Sequence, residues 1–251
     1  LSNRLESMQF STIRKLAPFA EDAKKRGVSV YHLNIGQPDI HTPSTFMEGI
    51  NNFTDKVLKY ENSQGMDPLI ESFVKYYLEW NIKLSKSEIL VTNGGSEAIL
   101  FAFMAICDPG DEIIIPEPFY TNYNGLADLA SVKVIPFITK AEDGFHLPSK
   151  EEITSKITKK TRAIMVSNPG NPTGVVYTQA EIRMLADIVK ENDIFLISDE
   201  VYREFVYDDL KYTSALYMKD IEDKVILIDS ISKRYRDRKS TRLNSSHRLY
   251  L

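Results

Sequence analysis

Lys233, Asp199 and Tyr202 are the side chains of this sequence that best suit chemistry on an amine. Lys233 follows the apolar run VILIDSIS, and a lysine at a partly desolvated strand end can act as a nucleophile or a base. Asp199 directly follows IFLIS, where a buried carboxylate is unfavourable unless it meets a positive partner such as a protonated pyridine nitrogen. Tyr202 could donate a hydrogen bond to a ring hydroxyl. Surface lysines, helix-capping aspartates and packing tyrosines are commoner, so the three residues are informative only together.

A short segment of small residues, Gly94 to Glu97, stands where an apolar run turns into a helical pattern over 98–106. Small residues there allow backbone N–H groups at the positive end of the helix to contact an anion. The segment lacks the lysine of a P-loop and the three-glycine spacing of a dinucleotide fingerprint. A glycine pair before a helix is more often only a tight turn, so this is a candidate phosphate site that needs further support.

These residues need a parallel sheet to position them. From about residue 66 onward, helical patterns alternate with short β-branched apolar runs, which predicts an α/β domain with helices covering a mostly parallel sheet. We predict strands over residues 89–92, 113–115, 132–137, 163–166, 194–197 and 225–228. Ligands bind beyond the carboxyl ends of such strands. The segments that follow the strands are NGGSEA, PEPFY, SNPGNPTG, SDEVY and DSISK.

Three helices are predicted from local signals. Asp67 and Pro68 open one amphipathic pattern, and Thr178 with Glu181 forms a capping box ahead of another. A third helix, over residues 12–26, carries an apolar side around Phe19. We expect that side to be exposed, because the elements that would cover it are not found later in the sequence.

The composition favours a small-molecule partner. The chain has 31 Lys and Arg against 35 Asp and Glu, a net charge of −4. This balance predicts no overall positive electrostatic field that would attract nucleic acid or an anionic membrane surface. Cys107 is the single cysteine, and no apolar run has the length of a signal peptide or a membrane span. These features predict a cytoplasmic protein, and we predict no metal site.

The final segment, residues 236–251, differs in composition from the rest. It holds five basic residues and one acidic residue without an apolar period, whereas residues 1–235 hold 26 basic and 34 acidic residues. We interpret it as a non-native tail.

Taken in order, NPGNPTG, SDEVY and SISK resemble the signature of class I/II aminotransferases, members of the fold-type-I family that depends on pyridoxal 5'-phosphate (PLP). NIGQPD, YENSQG, VTNGGSEA and IIIPEPFYTNY support the resemblance, which runs from about residue 8 to 235. It implies an incomplete PLP-binding large domain over 46–235, with helices on both faces of the sheet. Residues 1–45 would then be an N-terminal arm and part of a small domain.

The resemblance implies an amino-group transfer between an L-amino acid and a 2-oxo acid. Lys233 would hold PLP as a Schiff base and move the proton between the substrate α-carbon and the cofactor. Asp199 would keep the pyridine nitrogen protonated, so that the ring accepts electrons. Asn171 and Tyr202 would hydrogen-bond the phenolic oxygen of the ring, and Tyr120 would stack on the ring face.

Further positions follow from the resemblance alone. The group around the phosphate would comprise Gly95, Ser96, Glu97 and Ser230. For the substrate, Gly36 would lie near the carboxylate, with Asn171 also in contact. Tyr60 would reach the phosphate of the neighbouring subunit in a homodimer.

The sequence also departs from the family pattern. The family has a phosphate-binding arginine eight residues after the lysine, where this chain has Thr241. A second arginine, for the substrate carboxylate, comes from a C-terminal domain that does not follow here. We therefore expect a truncated copy whose native match ends near Tyr235. The amino donor stays open among aspartate, alanine and aromatic amino acids.

Other functions share the same motifs. A C–S lyase, a decarboxylase or a synthase of fold type I would use the same cofactor residues. An inactive PLP-binding module, such as an effector sensor fused to a DNA-binding region, is a further alternative, although no helix-turn-helix pattern precedes the domain.

Overall fold

The structure, a computed structural model, describes residues 15–32, 41–54, 56–57 and 60–234. The α-helices within these residues are α1 Ala17–Lys25, α2 Ser44–Asn51, α3 Asp67–Glu79, α4 Gly95–Ile106, α5 Asn122–Ala130, α6 Lys150–Thr154, α7 Gln179–Asn192 and α8 Ile231–Arg234. The strands are β1 Glu112–Glu117, β2 Lys133–Ile138, β3 Thr161–Ser167, β4 Phe195–Asp199 and β5 Val225–Ile228. The tail over 236–251 and the NIGQPD segment lie outside the described residues.

The five strands form one parallel sheet in the order β2-β1-β3-β4-β5. This confirms the predicted α/β class. Strands β3, β4 and β5 are adjacent and in register at their carboxyl ends, where Ser167 lies beside Asp199 and Asp199 beside Ile228. The segments that follow these three strands therefore begin at the same edge of the sheet.

Alternate residues of the strands enter two separate cores, one on each face of the sheet. Ile164 and Leu196 pack with α7 on one face. Met165 and Ile197 pack with α4 and α5 on the other. Because both faces are covered, the strands read as nearly continuous apolar runs, and helices lie on both faces as expected.

The predicted strand over 89–92 is wrong. The segment is extended at Ile89, but among the described residues no strand pairs with it. Instead, Gln64 holds it: the Val91 N–H donates to the Gln64 carbonyl at 2.8 Å, and the Gln64 side-chain amide donates to the Ile89 carbonyl at 2.8 Å. An apolar run becomes a strand only where a neighbour supplies the hydrogen-bond ladder, and Leu90 is left exposed.

The helix starts predicted at Asp67 and Thr178 are confirmed. Asp67 is the first residue of α3, and Pro68 lies in its first turn. At α7, the Thr178 hydroxyl accepts the Glu181 N–H, while the Glu181 carboxylate accepts the Thr178 N–H. Helix α4 begins at Gly95, earlier than the predicted residue 98, because the small residues themselves form its first turn.

None of the described helices is both long enough and apolar enough to cross a bilayer.

Helix α1 is the described part of the helix predicted over 12–26. None of its residues is buried, and Phe19 is 74% exposed, as expected for an apolar side without a cover.

Thr178→Ala should lower the free energy of unfolding by about 1 kcal/mol, because it removes the hydroxyl that satisfies a free N–H at the start of α7. Chemical denaturation measures the change. Thr154→Ala is the matched control, since the Thr154 hydroxyl only donates to the Glu151 carbonyl within α6. Equal losses in the two variants would contradict a specific capping contribution.

Candidate functional site

The site is built where β3, β4 and β5 end. The Asn168 N–H donates to the Asp199 carbonyl at 2.9 Å, and the Glu200 N–H donates to the Ile228 carbonyl at 2.9 Å. These bonds continue the sheet by one residue and fix the start of each following turn. The NPGNPTG loop, the Asp199 turn and the turn that leads to Lys233 are thereby placed side by side.

Asp199 is buried, and its carboxylate has two donors. The Tyr123 hydroxyl donates to Oδ2 at 2.6 Å, and the Val201 N–H lies 3.3 Å from Oδ1. Burial, with a smaller contribution from the charges of Asp229 and Glu200, raises the pKa of Asp199 to about 6 against the opposing effect of these two bonds. A carboxylate in this position is stabilised by a cation, and a protonated pyridine nitrogen is such a cation.

Lys233 lies in α8, one short turn after β5. Its Nζ is 5.0 Å from the centroid of the Tyr202 ring, so the structure brings these two predicted residues together. The turn between β5 and α8 is held by its own side chains: the Ser230 and Ser232 hydroxyls are 2.8 Å apart, and the Ser232 N–H donates to the Ser230 hydroxyl.

The N-terminus of α4 lies against this same turn. A Cβ added to Gly95 would be 3.8 to 3.9 Å from Ile228, the Asp229 carbonyl and Ser230, so the backbone packs closely there. The first N–H groups of a helix have no intrahelical acceptor and are available to an anion. The Glu97 side chain is turned back, since its carboxylate accepts the Asn93 N–H at 2.5 Å. Glu97 would therefore serve a phosphate through its backbone N–H only.

Tyr120 and Asn171 both lie beside Tyr123, the residue that donates to Asp199. The Tyr120 ring contacts the Tyr123 ring edge-on, with centroids 5.5 Å apart. Asn171 lines a small cavity together with Tyr123 and Ser167. Tyr123 therefore connects Asp199 to both Tyr120 and Asn171.

One predicted residue is not brought to this place, and another falls outside the described residues. Tyr60 is 88% exposed, and no contact with a site residue involves it in the part of the chain that the structure describes. Gly36 lies outside the described residues, as does Thr241. Their roles stay predictions.

Sequence reasoning missed Tyr123 and Glu200 as parts of the site. Tyr123 stands one helical turn after Tyr120, which is the signal that could have indicated it. Glu200 is fully buried beside Asp199, and its carboxylate accepts hydrogen bonds from the Ser214 hydroxyl and the Ala215 N–H. Burial raises the pKa of Glu200, although the charge of Arg203 and the Ala215 N–H act against that effect.

The sequence profile of the aminotransferase class I and II family matches residues 28–236, which is most of the chain. The chain belongs to this family. A probable aspartate/prephenate aminotransferase of Aquifex aeolicus is 32% identical over 238 residues, covering 94% of this chain and 60% of the relative.

Solved structures agree with this family membership. The aspartate aminotransferase of Thermotoga maritima has a TM-score of 0.87 at 32% identity, covering 94% of this chain and 63% of that one. The alanine aminotransferase of Pyrococcus furiosus has a TM-score of 0.82 at 30% identity, covering 92% and 59%. This chain therefore spans about 60% of the length of the relatives that it matches.

Membership of this family implies PLP as the cofactor, and the chemistry of the described residues suits PLP. The cofactor has an aldehyde, a pyridine nitrogen and a phosphate. The structure offers the Lys233 amine, the buried Asp199 carboxylate with its raised pKa, and the N-terminus of α4 beside Ser230. Each chemical group of PLP thus has a suitable counterpart at one edge of the sheet.

Tyr123→Phe should weaken PLP binding by the whole protein about tenfold, because a hydrogen bond to a charged group contributes about 1.5 kcal/mol or more. Without this donor the pKa of Asp199 rises further, and less of the anion is available to a pyridinium. Fluorescence titration with PLP measures the loss. Tyr217→Phe is the control, since the Tyr217 hydroxyl donates to the Trp80 carbonyl away from the site. An unchanged Kd in Tyr123→Phe would contradict the role of this bond.

Proposed function

We propose that the whole protein is a PLP-dependent aminotransferase that moves an amino group between an L-amino acid and a 2-oxo acid, with Lys233 as the point of covalent attachment. The observation that carries this proposal is the placement of the buried Asp199 at the end of β4 and of Lys233 in the short helix that follows the adjacent strand β5. When bound, PLP supplies a carbonyl carbon for exchange with amines and a ring that accepts electrons.

Asp199 would hold the cofactor by charge. Burial raises the pKa of Asp199 to about 6, so a pyridinium nearby favours the ionised form and gains from a pairing inside a buried region. The Tyr123 hydroxyl keeps Oδ2 oriented. In this way the proton stays on the pyridine nitrogen.

Lys233 would act as a base once a substrate amine has displaced it. Its Nζ would move a proton between the substrate α-carbon and the cofactor. Asn171 and Tyr202 would orient the ring oxygen, and Tyr120 would cover the ring face. Ser96, Ser230 and the N–H groups of α4 would bind the phosphate.

We propose aspartate as the amino donor. The support is that the Aquifex relative is named as an aspartate/prephenate aminotransferase and the Thermotoga structure as an aspartate aminotransferase. The Pyrococcus structure is named as an alanine aminotransferase, which makes alanine the natural comparison. Names of this kind favour amino transfer over the lyase, decarboxylase and synthase alternatives.

We further propose that residues 46–235 form the cofactor-binding domain of a cytoplasmic homodimer in amino-acid metabolism. The exposure of Tyr60 supports the dimer, because a large aromatic residue that is 88% exposed in one chain is suited to a contact with another. The net charge and the single cysteine support the location.

The experiment is an amino-transfer assay of the whole protein with PLP, a 2-oxo acid acceptor and either aspartate or alanine as donor. We expect a new amino acid from the acceptor, with aspartate giving the higher kcat/KM. If PLP binds but no donor transfers its amino group, the protein is not an aminotransferase. Transfer from alanine alone would contradict only the proposed donor.

A further inference from the structure

Arg203 is a guanidinium buried completely beside the site. Its side chain has 0% exposure, and its Nη2 lies 3.2 Å from Asp229 Oδ2 and 3.5 Å from Glu200 Oε2. Within the described part of the chain, none of its three side-chain nitrogens makes a hydrogen bond of adequate geometry. Its contacts are therefore those of a charge held between two carboxylates, with the Tyr77 ring 4.8 Å below it.

The position of Arg203 in the chain gives this charge a structural task. Arg203 belongs to the turn after β4, directly beside Tyr202 and four residues after Asp199. Asp229 directly follows β5 and opens the turn that leads to Lys233. The Arg203–Asp229 contact therefore joins the turn of Asp199 and Tyr202 to the turn of Lys233.

Asp229 is held from several directions. The Tyr77 hydroxyl donates to its Oδ2 at 2.9 Å, and the Ser230 N–H donates to its Oδ1 at 2.7 Å. Arg234, next to Lys233, lies with its Nη2 3.3 Å from Oδ2. Asp229 is thus the point where three elements meet: α3, the turn after β4 and α8.

A second ion pair runs parallel to the first. Arg234 Nε lies 2.5 Å from Glu204 Oε1, and its guanidinium lies 4.0 Å over the Tyr76 ring. Tyr76 also donates a hydrogen bond to Glu204. Arg203–Asp229 and Arg234–Glu204 therefore cross-link the two turns twice.

We propose that this turn-bridging cluster, Arg203, Glu204, Asp229 and Arg234, fixes the place of Lys233 relative to Asp199 and Tyr202. Arg203 is a positioning residue, since it is buried away from the cofactor space and acts through Asp229. The inference rests on the proposed function for the meaning of Lys233. Among the described residues, the backbone gives one link between these two turns beyond the strand pairing, from the Glu200 N–H to the Ile228 carbonyl, so side chains must supply the rest.

Burial explains why the cluster is sensitive to change. A buried ion pair that loses one partner leaves an uncompensated charge. Without Arg203, the carboxylates of Asp229 and Glu200 would repel each other without an intervening cation, and the turns would move apart. A displacement of about 1 Å at a reacting group lowers reactivity about a hundredfold, so the effect should reach the chemistry of Lys233.

The first test is hydrogen–deuterium exchange on the 251-residue chain without cofactor. Arg203→Met should speed amide exchange in peptides covering 200–204 and 229–234 by about tenfold or more, and leave β1 and β3 peptides unchanged. Arg162→Met is the matched control, since Arg162 Nε pairs with Asp111 Oδ2 at 2.7 Å at the opposite end of the sheet. Parent-like exchange in the two turns would overturn the inference.

Arg203→Lys decides the question should Arg203→Met fail to fold. Lysine keeps the positive charge but loses the planar group that stacks on Tyr77. We expect faster exchange than in the parent at the same two turns, by about threefold, and slower exchange than in Asp229→Asn. Exchange equal to the parent in Arg203→Lys and Asp229→Asn would show that the cluster positions nothing.

The second readout is the rate at which added PLP forms a covalent bond with Lys233, followed by absorbance and fixed with borohydride. Arg203→Met should lower this rate about tenfold, with partial recovery in Arg203→Lys. Ile164→Val, a change in the β3 core, is the control for a general loss of stability. Faster exchange at the turns with a parent-like rate of bond formation would overturn the positioning role.

The two proposals fail in different ways. If the parent forms no bond with PLP while the exchange pattern follows the prediction, the proposed function is wrong and the cluster still positions the two turns. If the parent binds PLP through Lys233 but the variants match it in both readouts, only the inference on Arg203 is wrong.

Discussion

Lys233→Ala should lower amino transfer by the whole protein at least about a thousandfold, because alanine can neither hold the cofactor nor carry a proton. The Nζ atom of Lys233 lies at the ring of Tyr202, just after the end of β4. The change removes no buried packing, since Lys233 is only partly buried. The fold should persist, and near-ultraviolet circular dichroism would show it.

The control is Lys219→Ala, which removes a surface lysine that pairs with Glu222 at 2.6 Å. Its kcat should equal that of the parent. An added primary amine should restore part of the activity to Lys233→Ala, because it can replace the missing base. Retention of more than about a tenth of the parent activity by Lys233→Ala would contradict the assigned role.

Asp199→Asn should abolish most of the activity and, in the chain without cofactor, increase the free energy of unfolding at pH 8 by up to about 3 kcal/mol. The pKa of Asp199 is raised from 3.8 to about 6 by burial, so the folded chain binds this proton more tightly than the unfolded chain does. The ionised carboxylate therefore destabilises the fold above the folded pKa. Asparagine has the same shape and carries no charge.

The pH dependence gives this prediction its sign. Below about pH 4 the carboxyl group is protonated in both states, and parent and variant should be equally stable. Between about pH 4 and 6 the advantage of Asp199→Asn should grow, and above pH 6 it should stay constant. Urea unfolding at several pH values measures it. Lower stability of the variant at pH 8 would contradict the raised pKa, and full activity would contradict the pairing with the pyridine nitrogen.

The opposed effects on stability and activity are characteristic of a functional site. A buried carboxylate without a cation weakens the fold, and the cofactor removes that weakness when it binds. Added PLP should therefore raise the melting temperature of the parent more than that of Asp199→Asn, although both bind through Lys233.

Much of the sheet could be predicted from the sequence because its central strands are buried on both faces. The runs around Ile164 and Ile197 carry enough β-branched apolar residues to indicate a strand without any tertiary information. The run at 89–92 has the same composition and is not a strand. What it lacks is a partner, and the hydropathy of a segment does not report whether a neighbouring strand exists.

The same distinction applies to the site. Asp199 and Lys233 could be found because their position at strand ends is a property of the local sequence. The Tyr123–Asp199 bond joins residues 76 positions apart, and the Tyr77–Asp229 bond joins residues 152 positions apart. Such contacts depend on the packing of whole elements. Arg203 carries no local signal at all, since an arginine in a turn is ordinarily a surface residue.

Peptide mapping of the whole protein after incubation with PLP and reduction with borohydride tests the central claim most directly. The account predicts one dominant pyridoxyl-labelled peptide, with the label on Lys233, and its loss in Lys233→Ala. A label spread over surface lysines, or no label in a protein that remains folded, would contradict a cofactor site at the ends of β4 and β5.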